Sequence, residues 1–146
     1  MRGEPDRAAA TDAPSLVLYA SRKGGPTGHG PVRLVAELPG SGEARVSLGD
    51  YLQLGVRGLR AATHVRVVGV DERGAVHPYL SDTLATPPAG ASLLGRSIEL
   101  GRDHVAGKTR IVARFSAGPI DDRAMMDAVA GRAGEGVVTG TLVIEP

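Results

Sequence analysis

Apolar and polar positions alternate through most of this chain, and the alternation is clearest between Tyr51 and Tyr79. In Tyr51–Arg57, Leu52, Leu54 and Val56 alternate with Gln53 and Arg57, the period of two expected of a half-buried strand. In His64–Asp71, Val65 and Val67 share one face, whereas Val68 and Val70 point to the other. That pattern predicts a strand covered on both sides, or one interrupted by a bulge. Asp71-Glu72-Arg73-Gly74 places Asp first and Gly fourth, as a type I turn prefers, so Val65–Tyr79 is predicted to be a β-hairpin.

The same reading predicts further strands at Ser15–Ala20, Val32–Leu38, Ala44–Val46 and Ser97–Leu100, with Leu48-Gly49-Asp50 as a turn into the central strand. In Thr109–Ser116, Ile111, Ala113 and Phe115 face one way and Arg110, Val112 and Arg114 the other. Val137–Ile144 closes the chain as a last strand. Leu80–Gly95, punctuated by Pro87-Pro88 and Gly90, is predicted to be a long irregular connection. One segment carries helical spacing: over Asp121–Arg132 the apolar positions Ile120, Ala124, Met125, Ala128 and Val129 fall on one face. Asp121 or Asp122 suits its N-cap, and Gly131 or Gly134 its end. Met1–Pro14 is charged and small-residue-rich, and is expected to be a disordered lead-in to a single domain over residues 15–146. The predicted fold is mainly β: a β-sandwich, Ig-like or related, of about eight strands with one short C-terminal helix.

Composition sharpens this in two ways. Phe115 and three tyrosines are the only aromatic residues, so the core must be built from Val, Leu, Ile, Ala and Met. Glycine (21) and proline (10) are frequent enough to favour many turns and short strands. The 17 basic and 16 acidic residues are interspersed, for a net charge of +1, which is not the single-sign footprint of a nucleic-acid-binding protein. The chain has no cysteine, so disulfides and thiolate metal sites are excluded. No apolar run reaches the length of about 18 residues needed to span a bilayer, and no membrane insertion is expected of the chain itself. The polar N-terminus lacks the apolar region of a signal peptide. The expected compartment is the cytoplasm for a complete chain, or the periplasm for a piece of a membrane-anchored regulator.

Tested for chemistry, the motifs fall short. Gly101–Thr109 ends in Gly-Lys-Thr, but five residues separate Gly101 from Gly107 where a P-loop has four, and a strand rather than a helix is predicted to follow. Gly25–Gly30 reverses the dinucleotide fingerprint and again precedes no helix. Neither Ser92 nor Ser97 sits in a Gly-x-Ser-x-Gly elbow. His29, His64, His77 and His104 show no metal-ligand spacing, although His77 and Asp82 are near enough in sequence to meet at the hairpin. Asp121-Asp122 is explained by helix-start electrostatics, and Met125-Met126 by one core and one peripheral methionine. No catalytic residue, metal ligand or cofactor is predicted. The one binding expectation is the cationic loop bearing Arg22, Lys23 and His29, fit for an acidic partner or anion.

Several stretches, taken in order, resemble an uncharacterised bacterial domain. In high-GC bacteria it often follows an anti-sigma-type zinc-binding segment and a membrane helix. The matching stretches are Leu16-Val17-Leu18-Tyr19, Leu48–Leu54, the valine-rich strand and Asp-x-x-Gly turn of His64–Tyr79, Leu94–Leu100, and Ile111–Arg123 with its Ala-x-Phe-Ser-x-x-Pro-Ile-Asp. The chain departs from the pattern at Gly95-Arg96-Ser97, where relatives carry Pro-Gly-Ser, and it contains neither the zinc-binding segment nor the membrane helix. The resemblance implies a non-catalytic sensory or protein-interaction domain, the extracytoplasmic part of a regulatory system, with another protein as partner. Two alternatives come from the residues themselves. One is a small metal-dependent hydrolase using scattered His, Asp and Ser. The other is a structural subunit assembling by edge-strand pairing, for which Val137–Ile144 is the candidate strand.

Overall fold

The valine strand with two apolar faces is covered on both. In the computed structural model, which describes residues 14–22, 32–38, 43–57, 63–84, 92–101, 104–132 and 136–146, Val65 and Val67 face a core shared by two sheets. Val68 and Val70 lie instead in a second, smaller cluster with Val112, Met125 and Ala128. A bulge is present as well. This strand, Thr63–Val70, shifts register against Val76–Leu84 between Val67 and Val68, and Tyr79 is the extra residue on the partner side.

Nine strands and one helix are described: β1 (Ser15–Ser21), β2 (Arg33–Leu38), β3 (Glu43–Ser47), β4 (Tyr51–Arg57), β5 (Thr63–Val70), β6 (Val76–Leu84), β7 (Ser92–Glu99), β8 (Gly107–Ser116), α1 (Asp122–Val129) and β9 (Val137–Glu145). They form a β-sandwich of a four-stranded sheet, β2-β1-β4-β7, and a five-stranded sheet, β3-β9-β8-β5-β6. All pairings are antiparallel except β3 with β9. The core between the sheets takes Leu16 and Leu18 from β1, Leu52, Leu54 and Val56 from β4, and Ile111, Ala113 and Phe115 from β8, with Leu142 and Ile144 from β9. Alternation along each strand delivered these side chains to one face, as period two requires.

Two expectations need correction. Leu80–Gly95 is not irregular throughout: β6 runs on to Leu84 and β7 begins at Ser92 rather than Ser97. The bulge at Tyr79 flips the alternation of β6, so its second half, paired with Thr63–Val67, does not continue the period of the first. Finally, β9 is not an edge. It lies between β3 and β8: Thr141–Ile144 is paired on both sides, while Val137–Gly140 pairs with β8 alone among the described strands. Residues 1–13 and most of the loop after β1 lie outside the described residues.

The helix sits on the outer face of the larger sheet. Asp121 caps it, accepting from the Ala124 N–H at 2.8 Å, and Gly131 adopts φ +79° just after its end, the left-handed conformation that terminates helices. Three arginines of the sheet reach up to its backbone: Arg66 to the Ile120 carbonyl at 3.1 Å, Arg114 to that of Ala124 at 2.5 Å, and Arg110 to that of Val129 at 2.7 Å. The residues that read as the polar face of β8 are therefore spent on holding α1.

The strand directions place every connection after an odd-numbered strand from β1 to β7 at one end of the sandwich. Three bonds stitch that end together: the Leu48 N–H to the Glu145 carbonyl (2.8 Å), Gly49 to Leu100 (2.7 Å) and Leu100 to Asp50 (2.8 Å). The β5–β6 turn, the segment leading into β8 and the loop after β1 all emerge there.

Candidate functional site

At this end the structure assembles a polar cluster from residues that the sequence keeps apart. Its origin is the β5–β6 turn. Asp71 is buried, and its Oδ1 accepts from the backbone N–H groups of Arg73 (2.9 Å) and Ala75 (3.0 Å). Its Oδ2 takes the Arg73 guanidinium at 2.8 Å and meets His77 Nε2 at 3.0 Å. Aspartate at the first turn position thus acts as an Asx-type staple.

From there the contacts pass inward. The ring of His77 stacks on that of His104, with centroids 4.4 Å apart and planes 16° from parallel. His104 Nε2 lies 2.9 Å from the Tyr79 hydroxyl. The bulge aims Tyr79 into the sandwich, and Gly69 makes room for it: a Cβ at that position would lie 2.6 Å from Tyr79 Cε2. Glu72 adds a second tie, accepting the Lys108 N–H at 3.2 Å. These contacts tie the hairpin tip to the described residues that enter β8.

The electrostatics set what this cluster does. The Arg73 guanidinium and His77, with the backbone donors, hold the Asp71 carboxyl well below the usual aspartate range. Burial, reinforced by the charge of Asp71, pushes the Tyr79 phenol well above its ordinary value. Asp71 stays ionised and Tyr79 stays neutral across the physiological range, so neither is tuned toward the pKa near 7 that general acid–base catalysis favours. The two imidazole planes are nearly parallel and offset, and lone pairs lying in such planes do not converge on one ion at the 2.0–2.1 Å of a Zn–N bond. Among the described residues no group of three His, Asp or Glu side chains has metal-binding geometry.

A pH profile of stability follows. The lowered Asp71 pKa contributes stability that is present above the ordinary aspartate value of about 3.9 and is lost as pH falls below it. The raised Tyr79 pKa contributes stability that is lost as pH rises past about 10. Thermal melts from acid to alkaline pH are expected to show both limbs. Asp71→Asn should flatten the acid limb and Tyr79→Phe the alkaline one, and an unchanged acid limb in Asp71→Asn would place the Asp71 pairing elsewhere.

The residues singled out in the sequence fare unequally. Arg22 is exposed at the end of β1, whereas Lys23, His29 and the Gly25–Gly30 segment lie outside the described residues. His77 finds its carboxylate in Asp71. Asp82 pairs through its backbone with Val65, well along β6 from His77, which is opposite Gly69. His64 is at the far end of β5, opposite Ser116. Gly107-Lys108-Thr109 opens β8, with Thr109 buried and Lys108 Nζ 3.1 Å from Glu43. Ser92 and Ser97 lie within β7. Met125 is buried and Met126 exposed.

A second feature marks the same end. Of the five exposed large hydrophobics among the described residues, Val32 (54%), Leu34 (58%), Leu48 and Val76 are all at or beside it, and Met126 is elsewhere. Comparison with protein-family models and with curated proteins finds no match to this chain.

Proposed function

We propose that this chain is a non-catalytic sensory or protein-interaction domain that binds another protein through the end of the sandwich carrying the β5–β6 turn. The observation that carries this reading is that Val32, Leu34, Leu48 and Val76 are exposed at or beside that end. Surface hydrophobics scattered over a molecule need no explanation, whereas four of the five described ones at one end do. The Asp71–His77–His104–Tyr79 cluster supports it differently. Its polar groups are turned on one another and stiffen the end, which lowers the entropy a partner would have to overcome. The resemblance to the anti-sigma-associated domain adds a regulatory setting to the proposal.

The test is capture from native lysate, membrane fraction included, comparing wild type with Leu34→Asp, with mass spectrometry as readout. A protein recovered reproducibly by wild type and lost with Leu34→Asp supports the reading. Capture indifferent to the substitution counts against it, as does a thermal-shift response to a metal ion that His77→Ala abolishes, which would favour the hydrolase alternative. Replacing Arg22, which is exposed, and Lys23 together by alanine is expected to leave Tm near wild type. It should weaken capture, and undiminished recovery would remove that loop from the interface.

A further inference from the structure

The first residues of β2 are the exposed edge of the small sheet, and we infer that they pair with an extended, acidic and apolar segment of the partner protein. This rests on the binding-domain reading and specifies its surface. Among the described strands β2 pairs with β1 alone. Val32, Arg33 and Leu34 are all exposed. The register passes from Leu18↔Ala36 to Tyr19↔Leu34, so Val35 is an extra residue that bends this piece of the edge away from the rest of β2.

Of the other edge strands, β3 and β6 are protected. On β3, Glu43 and Arg45 are tied into ion pairs with Arg45, Lys108 and Glu145. On β6, Pro78 has no N–H to offer and the Tyr79 bulge breaks the ladder. The start of β2, ahead of the bulge at Val35, has no proline, and its one charge, Arg33, donates to the Arg45 carbonyl at 3.3 Å rather than to a carboxylate.

Its chemistry selects the occupant. Leu34 is opposite Tyr19 on the outer face of the small sheet, an apolar seat for alternate side chains of an added strand. Arg33, next in the strand and opposite Ala20, is exposed and donates one guanidinium N–H to the Arg45 carbonyl at 3.3 Å, and Arg22 is exposed at the other root of the same loop. Neither is in an ion pair with a described residue, and together they favour carboxylates on the incoming chain. A second copy of this protein fits less well. In a symmetric antiparallel pair centred on Arg33, each Arg33 would oppose its equivalent, and like charges directly opposite one another are destabilising.

The probe is a fluorescein-labelled peptide, Glu-Leu-Glu-Val-Glu-Leu-Glu, set against a counterpart with lysine in place of each glutamate and a version N-methylated at alternate amides. Anisotropy is expected to show saturable binding of the glutamate peptide that weakens with added salt. Arg33→Glu and Leu34→Asp, both at exposed positions, should fold as wild type and bind about tenfold or more weakly. The lysine and N-methylated peptides should not bind. Equal binding of the lysine peptide, unaltered affinity in both variants, or no binding up to about 1 mM would overturn the inference. So would a dimer in sedimentation that Leu34→Asp dissolves, which would assign the edge to self-association. Lysate capture separates the levels: loss of a captured protein in Leu34→Asp without probe binding leaves the binding domain standing and removes only its acidic partner.

Discussion

Phe115→Ala is expected to cost about 3–5 kcal/mol, the range for deleting a buried phenylalanine. Phe115 is the only phenylalanine in the chain and is 7% exposed. It lies on the inner face of β8 with Ile111 and Ala113, opposite Val65 of β5. Its neighbours are β-branched or small side chains on paired strands, which collapse poorly into a void, so the cavity term should persist. The Phe115 N–H also donates to the Gly136 carbonyl at 2.7 Å, so the backbone there is held in place by a bond that the substitution leaves intact. Against a typical total of about 5–15 kcal/mol, the loss is a large fraction of stability. Urea unfolding should show a lower midpoint at unchanged slope, while Phe115→Leu should lose under about 1.5 kcal/mol. A wild-type midpoint in Phe115→Ala would remove Phe115 from the core.

That prediction was open to the sequence because alternation along a single strand is local information. The inner faces of β4, β5 and β8 could be read from Leu52/Leu54/Val56, Val65/Val67 and Ile111/Ala113/Phe115. The two-faced pattern of β5 correctly announced a second apolar cluster, although not that α1 supplies it. What depends on partners in space was not legible. The parallel pairing of β3 with β9 and the interior place of β9 are properties of strand order, which local period does not encode. The bulge at Tyr79 defeated the reading of β6 because one inserted residue inverts the face of all that follow.

The candidate cluster was missed for a related reason. His77 and His104 were dismissed on spacing, but spacing tests only ligands carried by one element. Tyr79 and His104 meet although 25 positions apart, because the turn before β6 and the segment before β8 emerge at the same end. One signal was present. Asp71, read as a turn former, is six positions from His77, and a turn two residues shorter than that separation brings such a pair back together. The exposed apolar residues left a weaker trace, since Val32 and Leu34 alternate with Arg33 and Val35, and alternation alone does not say which face is covered.

Met125→Asp should destabilise by roughly 3–5 kcal/mol, through lost packing and a buried, unpaired carboxylate, while Met126→Asp should stay within about 0.5 kcal/mol. The contrast rests on neighbours in one helix. Met125 is 2% exposed against Val68, Val112 and Ala128, whereas Met126, turned about 100° from it, is 49% exposed. The carboxylate at 125 would face apolar side chains of β5 and β8 with no donor in that cluster, so undocking of α1 is its cheapest relief. Undocking then exposes Val68 and Val112 and frees Arg110 and Arg114 from the helix carbonyls they hold. Hydrogen exchange distinguishes this from global unfolding: amides of α1 should lose protection first, while those of β1 and β4 in the other sheet keep theirs at low denaturant. Equal effects at 125 and 126 would mean that the helix presents a different face to the sheet. Wild-type stability in both would mean that α1 contributes no packing to the fold, and that the second face of β5 is covered by something else.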